Sequence, residues 1–338
     1  MTVGNGAEPL RMAQYGTKHG HAAGKMQAML DSPDVEVVGL FEPDGGRRDE
    51  LEGSNGPFGQ VRWFDSEEEL LSDTSIVAVA SEGRNAESLP QTEAIVDAGK
   101  HGWYDKPAGE DWPGWQRVMR KAQDQGLLIQ MGYMFRYHAG FQQIDEWVKS
   151  GFLGDIFALR TRIGTAMNEN ARREVSRHRG GVFYELGCHM LDQVVWLLGR
   201  PQKVTAFLRN ETGVVAECPD NTLGVFEYEN AMALVDTSAM ETRPAARRFE
   251  VYGSRGSAIM EPLEPATEIR LCLTAAQGGY AEGDQKVPIE TQTRQKLYDL
   301  ELVDFLKTIQ GQQPPARPLA HELLVQETLL RATGEIKE

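Results

Sequence analysis

Lys106, in the run Trp103-Tyr104-Asp105-Lys106-Pro107, and the pair Glu185 and His189, four residues apart, are the side chains here best suited to oxidising an alcohol. That reaction removes a hydride from carbon and a proton from oxygen. An imidazole accepts a proton near neutral pH, and a carboxylate one turn earlier can orient its ring and stabilise the imidazolium. An ammonium stabilises the alkoxide as it forms. The expected catalytic set is therefore Lys106, Glu185 and His189, with Lys106 and His189 meeting around one carbinol. A nicotinamide cofactor would take the hydride, the protein supplying placement.

These residues need a scaffold, and the chain's periodicity suggests one. Residues 10–15, 35–41, 61–64, 76–80, 101–104 and 127–131 read as short strands. Longer amphipathic stretches such as residues 89–99 and 113–125 lie between most of them. Six strands alternating with helices predict a parallel, doubly wound Rossmann sheet over residues 1–131. Gly16, Glu42, Ser81-Glu82 and Lys106 each follow a different strand, so a parallel sheet would gather them on its carboxyl edge. Pro107 biases Lys106 towards an extended backbone.

Residues 16–24 read Gly-Thr-Lys-His-Gly-His-Ala-Ala-Gly and join the first strand to the first helix. In a dinucleotide fold the pyrophosphate rests on that helix's N-terminus. The full G-x-G-x-x-G is absent: Lys18 and His21 stand where the second and third glycines would be. Glu42 closes the second strand, where a carboxylate accepts ribose hydroxyls and repels a 2′-phosphate. NAD is therefore expected rather than NADP, held by Gly16, Thr17, Lys18, His19, Glu42, Ser81, Glu82 and Lys106.

After Gly132 the pattern changes. Residues 141–150 and 184–198 look helical, and residues 156–163 look like a strand. Strand candidates then follow at 204–209, 222–228, 231–238, 248–253, 257–260 and 268–273. They predict an α+β domain over residues 132–338 with an open, mostly antiparallel sheet. Residues 275–288 read as an exposed loop, and helices at 293–310 and 318–333 close the chain. With about 3.6 residues per helical turn, Glu185, His189, Asp192 and Trp196 fall within one narrow arc. Tyr133, Arg136, His178, Arg179 and Asp192, with Lys106 and His189, are the substrate-binding candidates. The basic run 171–179 reads equally well as a solvated or a substrate-facing loop.

Composition excludes several classes. A formal charge of −15 disfavours nucleic acid and anionic membranes as partners. Residues 1–8 show no export signal, and no apolar stretch is long enough to span a bilayer. Cys188, Cys218 and Cys272 are odd in number and far apart, which fits a reducing cytoplasm. His19-Gly20-His21 and Cys188-His189 lack the spacing of a closed metal site, so no metal is expected.

Three segments resemble the glucose–fructose oxidoreductase, inositol dehydrogenase and rhizopine-catabolism family, written Gfo/Idh/MocA. Ala98-Gly99-Lys100-His101 leading to Asp105-Lys106-Pro107 is similar to its Glu-Lys-Pro motif. Gly132-Tyr133 with Arg136 resembles the entry to its second domain. Gly180-Gly181 through Glu185, Gly187, His189 and Asp192 resembles its Asp-x-Gly-x-His-x-x-Asp motif, with Glu185 and Asp105 exchanging the usual acids. The resemblance implies a Rossmann domain followed by an α/β domain that pairs into homodimers or homotetramers through its open sheet. It also implies NAD(P)-dependent chemistry on a sugar, cyclitol or sugar derivative. Two alternatives stay open: redox-neutral glycoside cleavage with tightly bound NAD, and a non-catalytic sugar or cofactor sensor.

Overall fold

Five short strands of largely buried residues build the first unit of the computed structural model, which describes residues 8–337. The reading of residues 1–8 lies, Glu8 apart, outside the described residues. The strands are β1 (Leu10–Tyr15), β2 (Val35–Phe41), β3 (Ala78–Ser81), β4 (His101–Tyr104) and β5 (Ile129–Met131). All pair in parallel, in the order β2-β1-β3-β4-β5. Every residue of β3 is buried, as expected of a parallel strand covered on both faces.

Five helices alternate with these strands: α1 (Ala22–Asp31), α2 (Gly45–Leu51), α3 (Glu67–Ser72), α4 (Asn85–Asp97) and α5 (Trp112–Asp124). Their starts are written in the sequence. Asp44, Ser66 and Asp111 each accept a backbone N–H of the following first turn, and Glu67, Glu68 and Glu69 sit at the positive end of α3.

Register decides what reaches the carboxyl edge. Tyr15 stands opposite both Phe41 and Ser81, and Ser81 opposite Tyr104. The residues that follow, Gly16, Glu42, Glu82 and Asp105, therefore leave the sheet in one row, with Lys106 next.

Two expectations need correction here. Residues 61–64 are not a sixth strand; only the bridge Leu40↔Trp63 forms. The run is confined between a 3-10 turn at Pro57–Gln60 and the Ser66 cap of α3, which leaves room for little more. The contiguous two-domain division also fails. Arg294–Leu319 belongs to the first unit, together with the residues up to Gly132. Its helix α9 (Arg294–Ile309), numbered in chain order after the helices of the second unit, carries Leu297, Tyr298, Leu302 and Phe305 on its buried face. Phe305 stacks on Trp103, Gln130 donates to the Glu301 carbonyl, and Gln295 donates to the Gly24 carbonyl.

The second unit contains Tyr133–Thr293 and the described residues from Ala320 onward. Its helices are α6 (Ala139–Lys149), α7 (Glu169–Val175), α8 (Cys188–Leu198) and α10 (Leu319–Thr333). Its strands are β6 (Ile156–Arg162), β7 (Lys203–Arg209), β8 (Asn221–Glu227), β9 (Met232–Ser238), β10 (Arg248–Gly253), β11 (Gly256–Met260), β12 (Glu268–Leu273) and β13 (Gly283–Pro288). They form an open eight-stranded sheet, β13-β12-β11-β10-β6-β9-β8-β7. Only β6 and β9 pair in parallel, so the sheet is mostly antiparallel. Alternation is plain along β8, where Thr222, Gly224 and Phe226 are buried and their neighbours are not.

β13 corrects the reading of residues 275–288 as loop. Val287 is its one large apolar residue, so no period-two signal shows. It is held as an edge strand by the ladder to β12 and by the ion pairs Arg270–Asp284 and Lys286–Glu268. The run 171–179 is also not all loop: α7 covers its start, capped where Asn168 Oδ1 accepts from Ala171 N. Among the described residues no helix is long and apolar enough to cross a membrane.

Candidate cofactor and catalytic residues

Gly16 has φ +87°, and a Cβ added there would lie 2.7 Å from Gly83 N and 2.9 Å from the Glu82 carbonyl carbon. The turns after β1 and β3 thus touch backbone to backbone, and His19 N donates to Glu82 O at 3.0 Å. Only glycine fits both the left-handed conformation and the contact.

Glu42 is buried at the end of β2. Its Oε2 accepts from Thr17 N at 2.8 Å and Thr17 Oγ1 at 2.7 Å, and its Oε1 from Asp44 N at 3.0 Å. A carboxylate offers about four acceptor sites, so about one remains. Lys18 does not reach over the turn; its ammonium pairs with Asp44 at 3.0 Å and Glu87 at 3.5 Å. Ser81 is directed inward, its hydroxyl accepting from Thr92 Oγ1. Lys106 is only 2% exposed, and its backbone N donates to Asp105 Oδ1 at 2.7 Å.

Beneath this row lies a cluster that the sequence reading missed. His19 Nδ1 is 3.2 Å from Asp105 Oδ2, and His21 Nδ1 is 3.0 Å from the same oxygen. Lys25 Nζ bridges Glu82 Oε1 at 2.9 Å and Asp105 Oδ2 at 3.2 Å, 4.5 Å above the Trp103 ring. Burial pushes the Glu82 carboxyl up, and Lys25 only partly offsets this, leaving it near 8. Burial would raise Asp105 too, but His19, His21 and Lys25 together hold it well below the ordinary carboxylate range. Burial lowers both imidazoles: His21 falls to about 4, whereas the Asp105 charge turns the balance upward for His19. One signal was available. Lys25 interrupts the otherwise apolar buried face of α1, formed by Ala22, Met26, Ala28 and Met29.

In the second unit His189 is buried with its ring edge-on to Phe135 at 5.2 Å and to Tyr133 at 6.1 Å. The helix expected over residues 184–198 is two pieces. A π turn spans Phe183–Gly187, and α8 begins at Cys188. Glu185 therefore precedes a change of helical pitch, and the single arc drawn with His189, Asp192 and Trp196 does not hold.

Arg136 and Asp192, expected to touch substrate, instead meet each other. Arg136 Nε lies 3.1 Å from both Asp192 oxygens and Nη2 2.6 Å from Oδ1, while Nη1 and Nη2 reach Glu322 at 2.6 and 2.7 Å. His321 Nε2 is 2.8 Å from Asp192 Oδ1. Burial would raise the Asp192 carboxyl, yet Arg136 and His321 hold it well below its ordinary value. The Arg136 ion is also set over the Tyr133 ring, 4.8 Å away. The network fixes α8, and with it His189, against the 3-10 turn Met134–Tyr137 and α10. His178 stacks on Tyr184, inside the π turn, at 4.6 Å, and Arg179 lies beside Gly334.

Residues 141–259 match the family model described as the GFO/IDH/MocA C-terminal domain. An uncharacterized oxidoreductase of Schizosaccharomyces pombe is 24% identical over 62% of this chain and 58% of its own length, so the match spans less than two thirds of that relative. The 1,5-anhydro-D-fructose reductase of Ensifer adhaerens is 23% identical over 83% of each chain. Among solved structures, GenD2 from gentamicin A biosynthesis, in complex with NAD, superposes with a TM-score of 0.80 at 19% identity, covering 97% of this chain and 94% of that one. The fold is thus shared with that NAD-bound structure, and the resemblance drawn from the sequence motifs is borne out by the family model over residues 141–259.

Proposed function

We propose that this chain, of Gfo/Idh/MocA type through residues 141–259, is a nicotinamide-dependent oxidoreductase acting on a hydroxyl or carbonyl of a sugar, cyclitol or sugar derivative. The observation that carries the reading is the row Gly16, Glu42, Glu82 and Asp105, with Lys106 next, on the carboxyl edge of a parallel sheet, where dinucleotides bind such folds.

The residues present fit a dinucleotide. Gly16 supplies the close backbone turn, and α1 starts without a side-chain cap from His21. His21, in place of the third glycine, turns towards Asp105, and Lys18, in place of the second, turns aside to Asp44. Glu42 offers a carboxylate with about one acceptor site for a ribose hydroxyl, which supports NAD over NADP.

The bound nicotinamide would accept or donate the hydride. Lys106 would steady charge on the reacting oxygen, and its rigid placement comes from Asp105, which accepts its backbone N–H. His189 would take or return the oxygen's proton, its ring fixed by Phe135 and Tyr133. Glu185 would act on His189 as a positioning residue. Arg136 and Asp192 serve as support for α8, and His178 and Arg179 remain the candidates for substrate contact. A sugar-type substrate is favoured by the name of the anhydrofructose reductase relative.

The test is reduced-nicotinamide absorbance across a panel of sugars, cyclitols and their keto derivatives. Turnover is expected with at least one of them, and a fall of at least about 100-fold in Lys106→Ala and in His189→Ala, each folded by circular dichroism. Full activity in both variants would remove the assignment.

A further inference from the structure

We propose that His19, His21 and Asp105 form a site for a divalent transition metal, Zn2+ being the ion its donors suit best. The residues come from two places in the chain: the turn after β1 and the end of β4.

Two imidazoles and one carboxylate are the donor set of an open zinc site, in which three protein ligands leave a fourth position for an oxygen. Ligands about 2.0–2.1 Å from a tetrahedral ion are separated from each other by about 3.3 Å. The two imidazole–carboxylate edges already measure 3.2 and 3.0 Å, and one atom from each residue lies within 4.8 Å of the others. All three residues are buried.

Both rings present Nδ1 to a single carboxylate, a convergence that one hydrogen-bonded His–Asp pair does not need.

The donors are also held in place. His19 N donates to Glu82 O, Asp105 N to Ser81 O, and Lys106 N to Asp105 Oδ1. Lys25, bridging Glu82 and Asp105, is an outer partner of the kind that orients metal-binding carboxylates. It also sets the charge. Lys25 already offsets the Asp105 charge, so an added dication leaves an excess that suits an anionic oxygen in the fourth position. Hydroxide or an oxygen of a phosphate or carboxylate would serve.

This site does not depend on the oxidoreductase reading, and the experiment separates them. The full chain, stripped with a chelator and free of nicotinamide, is titrated with Co2+ followed by visible absorption, then with Zn2+ by calorimetry. One equivalent of Co2+ with a four-coordinate spectrum, displaced by Zn2+, is expected. His19→Ala, His21→Ala and Asp105→Asn should each weaken binding at least about tenfold. Should a variant unfold, the imidazole resonances of His19 and His21 in the unsubstituted chain give the answer: they shift with one equivalent of Zn2+ if the site exists. No stoichiometric uptake, or uptake without movement of those resonances, overturns the proposal. A parallel NAD titration of the metal-free chain bears on the cofactor reading alone.

Discussion

Arg136 places two hydrogen-bonding edges on two carboxylates inside the second unit, and it shows how far a residue's type can mislead about its role. Arg and Asp near a candidate catalytic histidine read as substrate contacts, yet Arg136, Asp192, Glu322 and His321 satisfy one another. Breaking such a buried pair costs about 3–5 kcal/mol, because a charge is left without its partner. Asp192→Asn should lose stability towards the low end of that range in urea unfolding, since Glu322 still holds Arg136. The pH dependence has a fixed sign. The folded chain keeps Asp192 ionised at pH values where the unfolded chain protonates it, so this contribution is present above the ordinary carboxyl value of 3.8 and lost as pH falls below it. Unfolding free energy in Asp192→Asn should therefore depend less on pH below about 4 than in the parent chain. Lys106 and His189 were legible as candidates because their motifs are local. The partnership of Lys25 with Asp105 and Glu82 was not, since it joins residues brought together only by strand register.

At the scale of elements, the sequence was clearest where periodicity and caps agree. β1, β2, β4, β10 and β12 begin and end where alternation and turn residues place them. It was weakest where geometry departs from a repeating period. A π turn at Phe183–Gly187 leaves no mark on apolar spacing, and β13 carries too few apolar residues to alternate. Gly181 sets the entry to that turn. It has φ +51°, and a Cβ there would lie 2.6 Å from Pro219 O, the atom that accepts Val182 N–H. Gly181→Ala should destabilise the fold by about 1–3 kcal/mol in equilibrium unfolding. A cost below a few tenths would mean that the turn does not rest on this glycine.

For the whole molecule, the division into a parallel α/β unit and a mixed-sheet unit followed from the change of period near Gly132. What no local pattern reveals is the return of α9 to the first unit, because apolar spacing shows that a face is buried but not against which element. That helix closes over Trp103 and Gln130 in the strands that lead into Asp105 and Gly132, so the first unit is assembled from two separate stretches of the chain. The central claim is that this discontinuous unit binds a nicotinamide dinucleotide on its carboxyl edge. The most direct measurement is energy transfer from tryptophan to NADH and NADPH during titration of the full chain, beside Gly16→Ala. Saturable binding that favours NADH, and that falls at least about tenfold when the turn at Gly16 is forced away from Gly83, is the predicted result. A folded chain that binds neither nucleotide contradicts the account.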